Sequence, residues 1–182
     1  MAKQHPSVTD KYRPKRGKTN WTKIAMLVFV GLAIIGFILQ SIPRGQSGPA
    51  EPAFVDMGDL TITDAATGEE LAALDIEIAA TEDRRQMGLM YRKSMAEYNG
   101  MLFLMETTEP QSFWMRNTYI PLDIIYVGED RRIVSIAKNT TPRSLDPIPS
   151  AGPARYVLEV NGGFCDKKGI EVGDQIEWET SR

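Results

Sequence analysis

The sequence predicts a mainly β domain, a small antiparallel barrel or sandwich with one or two short helices, preceded by a single N-terminal transmembrane helix. Three observations predict it. Between Leu60 and Trp178, short alternating or apolar runs recur, separated by turns bearing Gly, Asn and Pro. Within that span Thr81-Glu-Asp-Arg-Arg-Gln-Met gives the clearest helix start. Ahead of it, Ile24–Leu39 is an uninterrupted apolar run behind a basic segment. Many short strands with a single substantial helix define an antiparallel β architecture.

Residues 1–23 form a basic head. Lys3, Lys11, Arg13, Lys15, Arg16, Lys18 and Lys23 stand against one acid, Asp10, so the head carries +6 within an overall charge of −3 and the rest of the chain carries −9. An acidic body repels phosphates, which argues against nucleic acid as the main partner.

Residues 24–42 read as a transmembrane anchor. Counted from Trp21 to Ile42, the segment spans about 33 Å at roughly 1.5 Å per residue, enough for a hydrocarbon layer of roughly 30 Å. Trp21 suits an interface and Lys23 can snorkel. The positive-inside rule then puts the N-terminus in the cytoplasm and the body on the extracytoplasmic, periplasmic side, with the membrane as partner of 24–42. The competing reading is a cleaved signal peptide and a secreted body. The run is long for an h-region and no A-x-A follows it, which leaves Gly45-Gln46-Ser47 as a weak cleavage site. Residues 43–53, PRGQSGPAEPA, are an extended Pro-rich linker, and 54–182 form the extracytoplasmic β domain.

Within the body, Leu60–Thr63 is a first strand and Ala65–Gly68 a turn. In Leu74–Ala79 the alternation points Leu74, Ile76 and Ile78 inward. Thr81 caps a helix over 82–90, and Glu82 and Asp83 complement its dipole. Met101–Met105 is a buried strand. Gly128–Arg131 turns into the strand Arg132–Lys138. Residues 139–154, with Pro142, Pro147, Pro149 and Pro153, read as a long loop, and loops of that length are usually functional. Tyr156–Val160, a short helical turn after Gly162-Gly163, and a last strand behind Gly173-Asp174 complete the domain.

The strings GLMYR (88–92), GMLF (100–103), FWMRNTYIPLDIIYV (113–127), YVLEVNGG (156–163) and IEVGDQI (170–176) occur in that order. Together they resemble the family known as domain of unknown function 192, over about residues 70–178. The family's usual string is FWMKNT; Arg116 keeps the charge here and offers a planar fork. The resemblance implies a small bacterial or archaeal domain with a β fold, often secreted or anchored. It brings no established reaction, ligand or catalytic residue.

The stretch 113–127 is the leading candidate site. On a strand, Phe113 and Met115 share one face and Trp114 and Arg116 the other. Asn117-Thr118 suits a turn, because Asn tolerates left-handed backbone, and Asp123 is placed to cap it. That account is complete as structure alone. The functional reading places Trp114 and Arg116 in a groove, with Arg116 receiving an anionic group, Trp114 a flat apolar or sugar face, and Asn117, Thr118 and Asp123 orienting the ligand. Residues 139–154 would roof it, with Arg92 and Arg143 as further contacts. Glu159, in an otherwise apolar strand, is either a buried acid or a solvent-facing position.

Two other chemistries have partial support. Six of the nine methionines (Met87, Met90, Met95, Met101, Met105 and Met115) fall within 29 residues, and thioethers select Cu(I). Without supporting His, core packing explains them as well. Carboxylates at Asp123, Asp146, Glu159 and Asp174 offer glycan-directed acid–base chemistry, although nothing in their spacing makes two converge. The only His, His5, lies in the basic head, which leaves the body without the commonest general base. The lone Cys165 forms no C-x-x-C and reads as a buried thiol. No cofactor is expected, and the leading reading is a binding module for a small ligand or an envelope protein, with an envelope enzyme acting on a glycan through carboxylates and Met-based copper handling as the alternatives.

Overall fold

Alternation sets the strands, and their order in the sheet positions the site. The computed structural model describes residues 20–41 and 51–181. The basic side chains of 3–18, His5 and residues 42–50 of the anchor and linker lie outside them. The chain divides into two compact units, residues 1–47 and 48–182.

In the first unit, α1 runs Trp21–Ser41. No helix among the described residues is long and apolar enough to cross a membrane. This corrects the transmembrane and signal-anchor reading of 24–42. The uninterrupted apolar run is only Ile24–Leu39, sixteen residues, below the roughly 17–25 that a span requires. The longer count drew on Thr22, Lys23, Gln40 and Ser41, which are polar.

The second unit contains β1 (Gly58–Thr63), β2 (Glu70–Ala79), α2 (Glu82–Met87), β3 (Asn99–Phe113), β4 (Leu122–Val127), β5 (Ile133–Ala137), β6 (Ile148–Asn161), α3 (Phe164–Lys168) and β7 (Gln175–Thr180). All seven strands form one sheet, in the order β5-β4-β6-β3-β2-β1-β7. Every neighbouring pair is antiparallel except β2 and β3, which run parallel because α2 carries the chain across between them. The sheet is therefore mixed, not purely antiparallel.

It is also not a closed barrel. The edge strands β5 and β7 approach only at one corner. There Arg132 bridges Gln175, and the Ile133 N–H donates to the Asp174 carbonyl at 2.8 Å. With β5 only five residues long, the ladder stops at that corner and the sheet curls without closing.

Adjacent residues serve opposite faces. Leu102, Ile125, Val127, Leu158 and Val160 join Leu60, Leu74, Ile76 and Ile176 in one core, sealed by Phe164 and Cys165 of α3. Phe103, Ile124, Tyr126 and Val157 face the other way, into a second core with Leu89, Met101 and Met115. Cys165 is free and buried, and burial, then the Asp123 carboxylate, pushes its thiol up.

Two boundaries differ from the sequence reading. The Thr81 hydroxyl accepts from the Arg84 N–H at 3.4 Å and starts α2 as expected. Gly88, at φ 47° and ψ −137°, ends the helix at Met87. A Cβ there would lie 3.3 Å from Phe103 Cζ, so glycine lets the chain turn down onto the sheet. The long loop is also shorter than expected, since β6 begins at Ile148, pairing Phe113 with Ile148 and Ser112 with Pro149. The β4–β6 ladder ends at Val127–Tyr156. Beyond it β6 lacks β4 as a neighbour, and Pro149 and Pro153 are tolerated where fewer N–H donors are required.

Candidate functional site

The groove follows from where two turns meet above the second core. The first, Gly88–Tyr91, leaves α2. The second, Trp114–Thr118, leaves β3. Met115, fully buried, anchors the second turn, and its N–H donates to the Ser144 carbonyl at 3.1 Å. Asn117 takes φ 56° and Tyr91 φ 67°. The Tyr91 N–H donates to the Asn117 carbonyl at 2.8 Å, and Asn117 Nδ2 donates to Tyr91 Oη at 3.0 Å. The Arg143 N–H donates to the Thr118 carbonyl at 3.0 Å, which ties the second turn to the 138–147 loop.

Between the turns lies a groove of about 990 Å³. Met87, Met90 and Tyr91 form one wall, and Trp114, Arg116, Asn117 and Thr118 the other. Phe103, Met105 and Phe113 of β3 line it as well, and so do Leu145 and Pro147. Trp114 is 49% exposed, and the Arg116 guanidinium carbon sits 5.5 Å from its ring centroid. Cationic Arg85 also lines the groove, but Glu82 at 3.1 Å and Glu106 at 2.6 Å neutralise it.

Glu159 is the unusual member. It lines the groove yet is only 5% exposed. Its carboxyl makes no hydrogen bond or ion pair within the described residues. An Oε2 distance of 3.9 Å to the Cβ position of Gly88 places the carboxyl beneath the first turn. Burial alone pushes its pKa up to about 8, so the group is largely neutral at pH 7. Burial and then the Glu159 charge push the Tyr126 hydroxyl up, and that hydroxyl donates to the Ile148 carbonyl.

The structure thus brings together Trp114, Arg116, Asn117, Thr118 and Glu159. It does not bring Asp123, Arg92 or Arg143 to the groove. Asp123 is fully buried and accepts from the backbone N–H groups of Asn139 at 2.6 Å, Gly163 at 3.0 Å and Cys165 at 2.8 Å. Its oxygens staple β4 to the loop and to α3. Arg92 is buried in an ion pair with Glu77, and its Nε is unpaired. It borders a second, smaller cavity of about 360 Å³ with Phe54 and Met95. Arg143 is exposed at φ 63° and serves through its backbone.

The other chemistries fare as follows. Of the four carboxylates singled out in the sequence, only Glu159 faces the groove. Asp174 accepts from Ala65 and Glu171 N–H groups, and Asp146 is an exposed partner of Ser144. Met101 and Met115 are sealed in the core, with Met115 Sδ accepting from the Thr140 hydroxyl at 3.2 Å. Among the described residues, no three His, Cys, Asp or Glu side chains converge as for a metal. The sequence reading missed the α2 wall, namely Arg85, Met87 and Met90 with Tyr91. Its signal was GLMYR, whose glycine follows a capped helix and turns the next residues onto the sheet.

A curled mixed sheet of seven strands thus carries a groove with a buried acid in its lining. The chain belongs to the family DUF192, described as "Uncharacterized ACR", whose sequence profile matches residues 63–178. A UPF0127 protein of Thermococcus sibiricus is 28% identical over 104 residues, covering 57% of this chain and 66% of that protein. A UPF0127 protein of Pyrococcus furiosus is 27% identical over 114 residues, covering 61% of this chain and 91% of that one. A crystal structure from Sinorhizobium meliloti, of a protein described as a candidate transcription regulator, aligns with TM-score 0.65 and 37% identity. It covers 69% of this chain and 98% of its own. A protein of unknown function from Novosphingobium aromaticivorans aligns with TM-score 0.64 and 38% identity, over 74% of this chain and all of its own.

Proposed function

We propose that the β domain is a binding module for a small organic ligand with an apolar body, held in the groove between Gly88–Tyr91 and Trp114–Thr118. The observation that carries this reading is the Glu159 carboxyl. The carboxyl has no hydrogen-bond partner among the described residues, and its oxygens open onto a preformed cavity, where a ligand can partner them. Pockets of this size lined by aromatic and apolar side chains with a few polar groups suit small molecules. Trp114 supplies a flat face, and the Arg116 guanidinium a charge at the rim. Asn117 sets the wall through its bonds to Tyr91.

Thermal unfolding of the full chain against a panel of apolar-bodied carboxylates, amines, alcohols and glycan fragments tests the reading. A ligand at about 100 times its dissociation constant adds roughly 2.7 kcal/mol, a rise of several degrees in midpoint. The rise should vanish in Trp114→Ala, an exposed position whose loss leaves the core intact. A panel with no response, or hits indifferent to Trp114→Ala, overturns the reading.

A further inference from the structure

Resting on that reading, we infer that the groove selects ligands bearing a protonated amine, which seats against the Glu159 carboxyl between aromatic and thioether walls. What decides the choice is an unpartnered carboxyl. Two guanidiniums border the groove, and only one of them, Arg85, is paired with acids. Arg85 already holds Glu82, Glu106 and the carbonyls of Ala80 and Leu104. Arg116 lies at the exposed rim against Trp114. The Glu159 carboxyl, by contrast, makes no hydrogen bond or ion pair within the described residues.

The walls favour the same ligand. Tyr91, Phe103, Phe113 and Trp114 line the groove, and aromatic faces attract cations, most strongly where water is excluded. Met87, Met90 and Met105 add polarisable sulfur to the same walls. A ligand carboxylate at this depth would meet a carboxyl and aromatic faces. An ammonium there meets the carboxyl, electron-rich rings and sulfur, with Arg85 held by its acids and Arg116 at the exposed rim.

Seating the amine also moves a proton. In the empty groove the carboxyl is largely protonated at neutral pH. When R–NH3+ binds, the carboxyl loses its proton to solvent, and the products are an ammonium–carboxylate pair and one free H+. The titratable and charged groups that line the groove with Glu159 are Glu82, Asp83 and Arg85 from α2, Tyr91 from the turn after it, and Arg116 from the 114–118 turn, while Tyr126 of β4 interacts with it from the core.

Isothermal titration of the full chain with 2-phenylethylamine, 3-phenylpropionate and 2-phenylethanol tests this, in two buffers of different ionisation enthalpy. The amine should bind tightest and release about one proton at pH 6.5, falling toward none above pH 9. In Glu159→Gln the amine should weaken by about tenfold or more and the proton release should vanish. Binding of the acid or alcohol in preference to the amine, lost in Trp114→Ala, overturns the amine assignment while leaving the binding groove standing. Amine binding without proton release overturns it equally. Silence from all three probes also overturns it, and the broader panel then decides the groove.

Discussion

Tyr91 and Asn117 hold each other across the groove through two bonds. The tyrosine N–H reaches the asparagine carbonyl at 2.8 Å, and the asparagine amide reaches the tyrosine hydroxyl at 3.0 Å. Both residues sit at positive φ. Two left-handed corners thus join the wall after α2 to the wall after β3, and this junction fixes the width of the groove.

Substitutions at Asn117 should separate backbone strain from hydrogen bonding. Asn117→Gly keeps the left-handed backbone and loses the amide's bonds to Tyr91 Oη and, weakly, Met90 Sδ, about 0.5–1.5 kcal/mol. Asn117→Ala adds the strain of positive φ and should cost about 1 kcal/mol more. Tyr91→Phe should match the glycine variant. Urea unfolding of the three variants reads the order directly. An alanine variant as stable as the glycine one would mean that the corner relaxes.

Asp123 and Arg116 make the sharpest contrast inside one motif. Asp123→Ala strands the N–H groups of Asn139, Gly163 and Cys165 in a buried setting and should cost about 3–5 kcal/mol. Arg116→Ala should change stability by less than about 0.5 kcal/mol, because the side chain is exposed and rests on Trp114. Chemical denaturation of both variants checks the pair. Equal losses would show that Arg116 has a structural role.

What the sequence could tell about this region follows from how local each cause is. The inward set Leu74, Ile76 and Ile78 is legible, since a strand's alternation is contained in the strand. From sequence Asp123 reads as a turn cap, because Asn117 is near it in the chain. Its true partners lie sixteen, forty and forty-two residues away, on elements brought together only by the β4–β6 pairing. The parallel β2–β3 ladder, the strand start at Ile148 in a proline-rich stretch and the burial of Glu159 are non-local in the same way. Each depends on a neighbour that the residue's own segment does not contain.

The Glu77–Arg92 ion pair should behave as a buried pair, not as a surface one. Both side chains are almost wholly covered, and the Glu77 carboxylate also accepts from the Val55 N–H at 2.9 Å. Removing one partner leaves a charge without compensation, so Arg92→Ala or Glu77→Ala should cost about 3–5 kcal/mol. The double variant Glu77→Leu with Arg92→Met should lose much less than the two single losses added together. A double-mutant cycle by urea unfolding measures the coupling. Additive losses would mean that the pair is solvated in solution.

Glu159 imposes a pH dependence of known sign. Its carboxyl titrates near the ordinary 4.5 in the unfolded chain and near 8 in the folded one, with burial the cause. Between those values the folded state binds more protons than the unfolded, so stability falls as pH rises. Below about 4.5 the carboxyl is protonated in both states and contributes nothing. Above about 8 the folded state holds a buried anion, and the penalty levels off at a few kcal/mol. Glu159→Gln presents a neutral group of the same shape at every pH. The stability difference between Glu159→Gln and the parent should therefore be near zero at pH 4, grow through pH 5–8, and stay constant beyond. The comparison cancels the carboxylates elsewhere whose pKa values are lowered, among them Asp64 and Glu97. Thermal or urea unfolding of both proteins from pH 4 to 9 gives the curve. A difference independent of pH would place the carboxyl in water, and the groove would then lose the acid on which its selectivity rests.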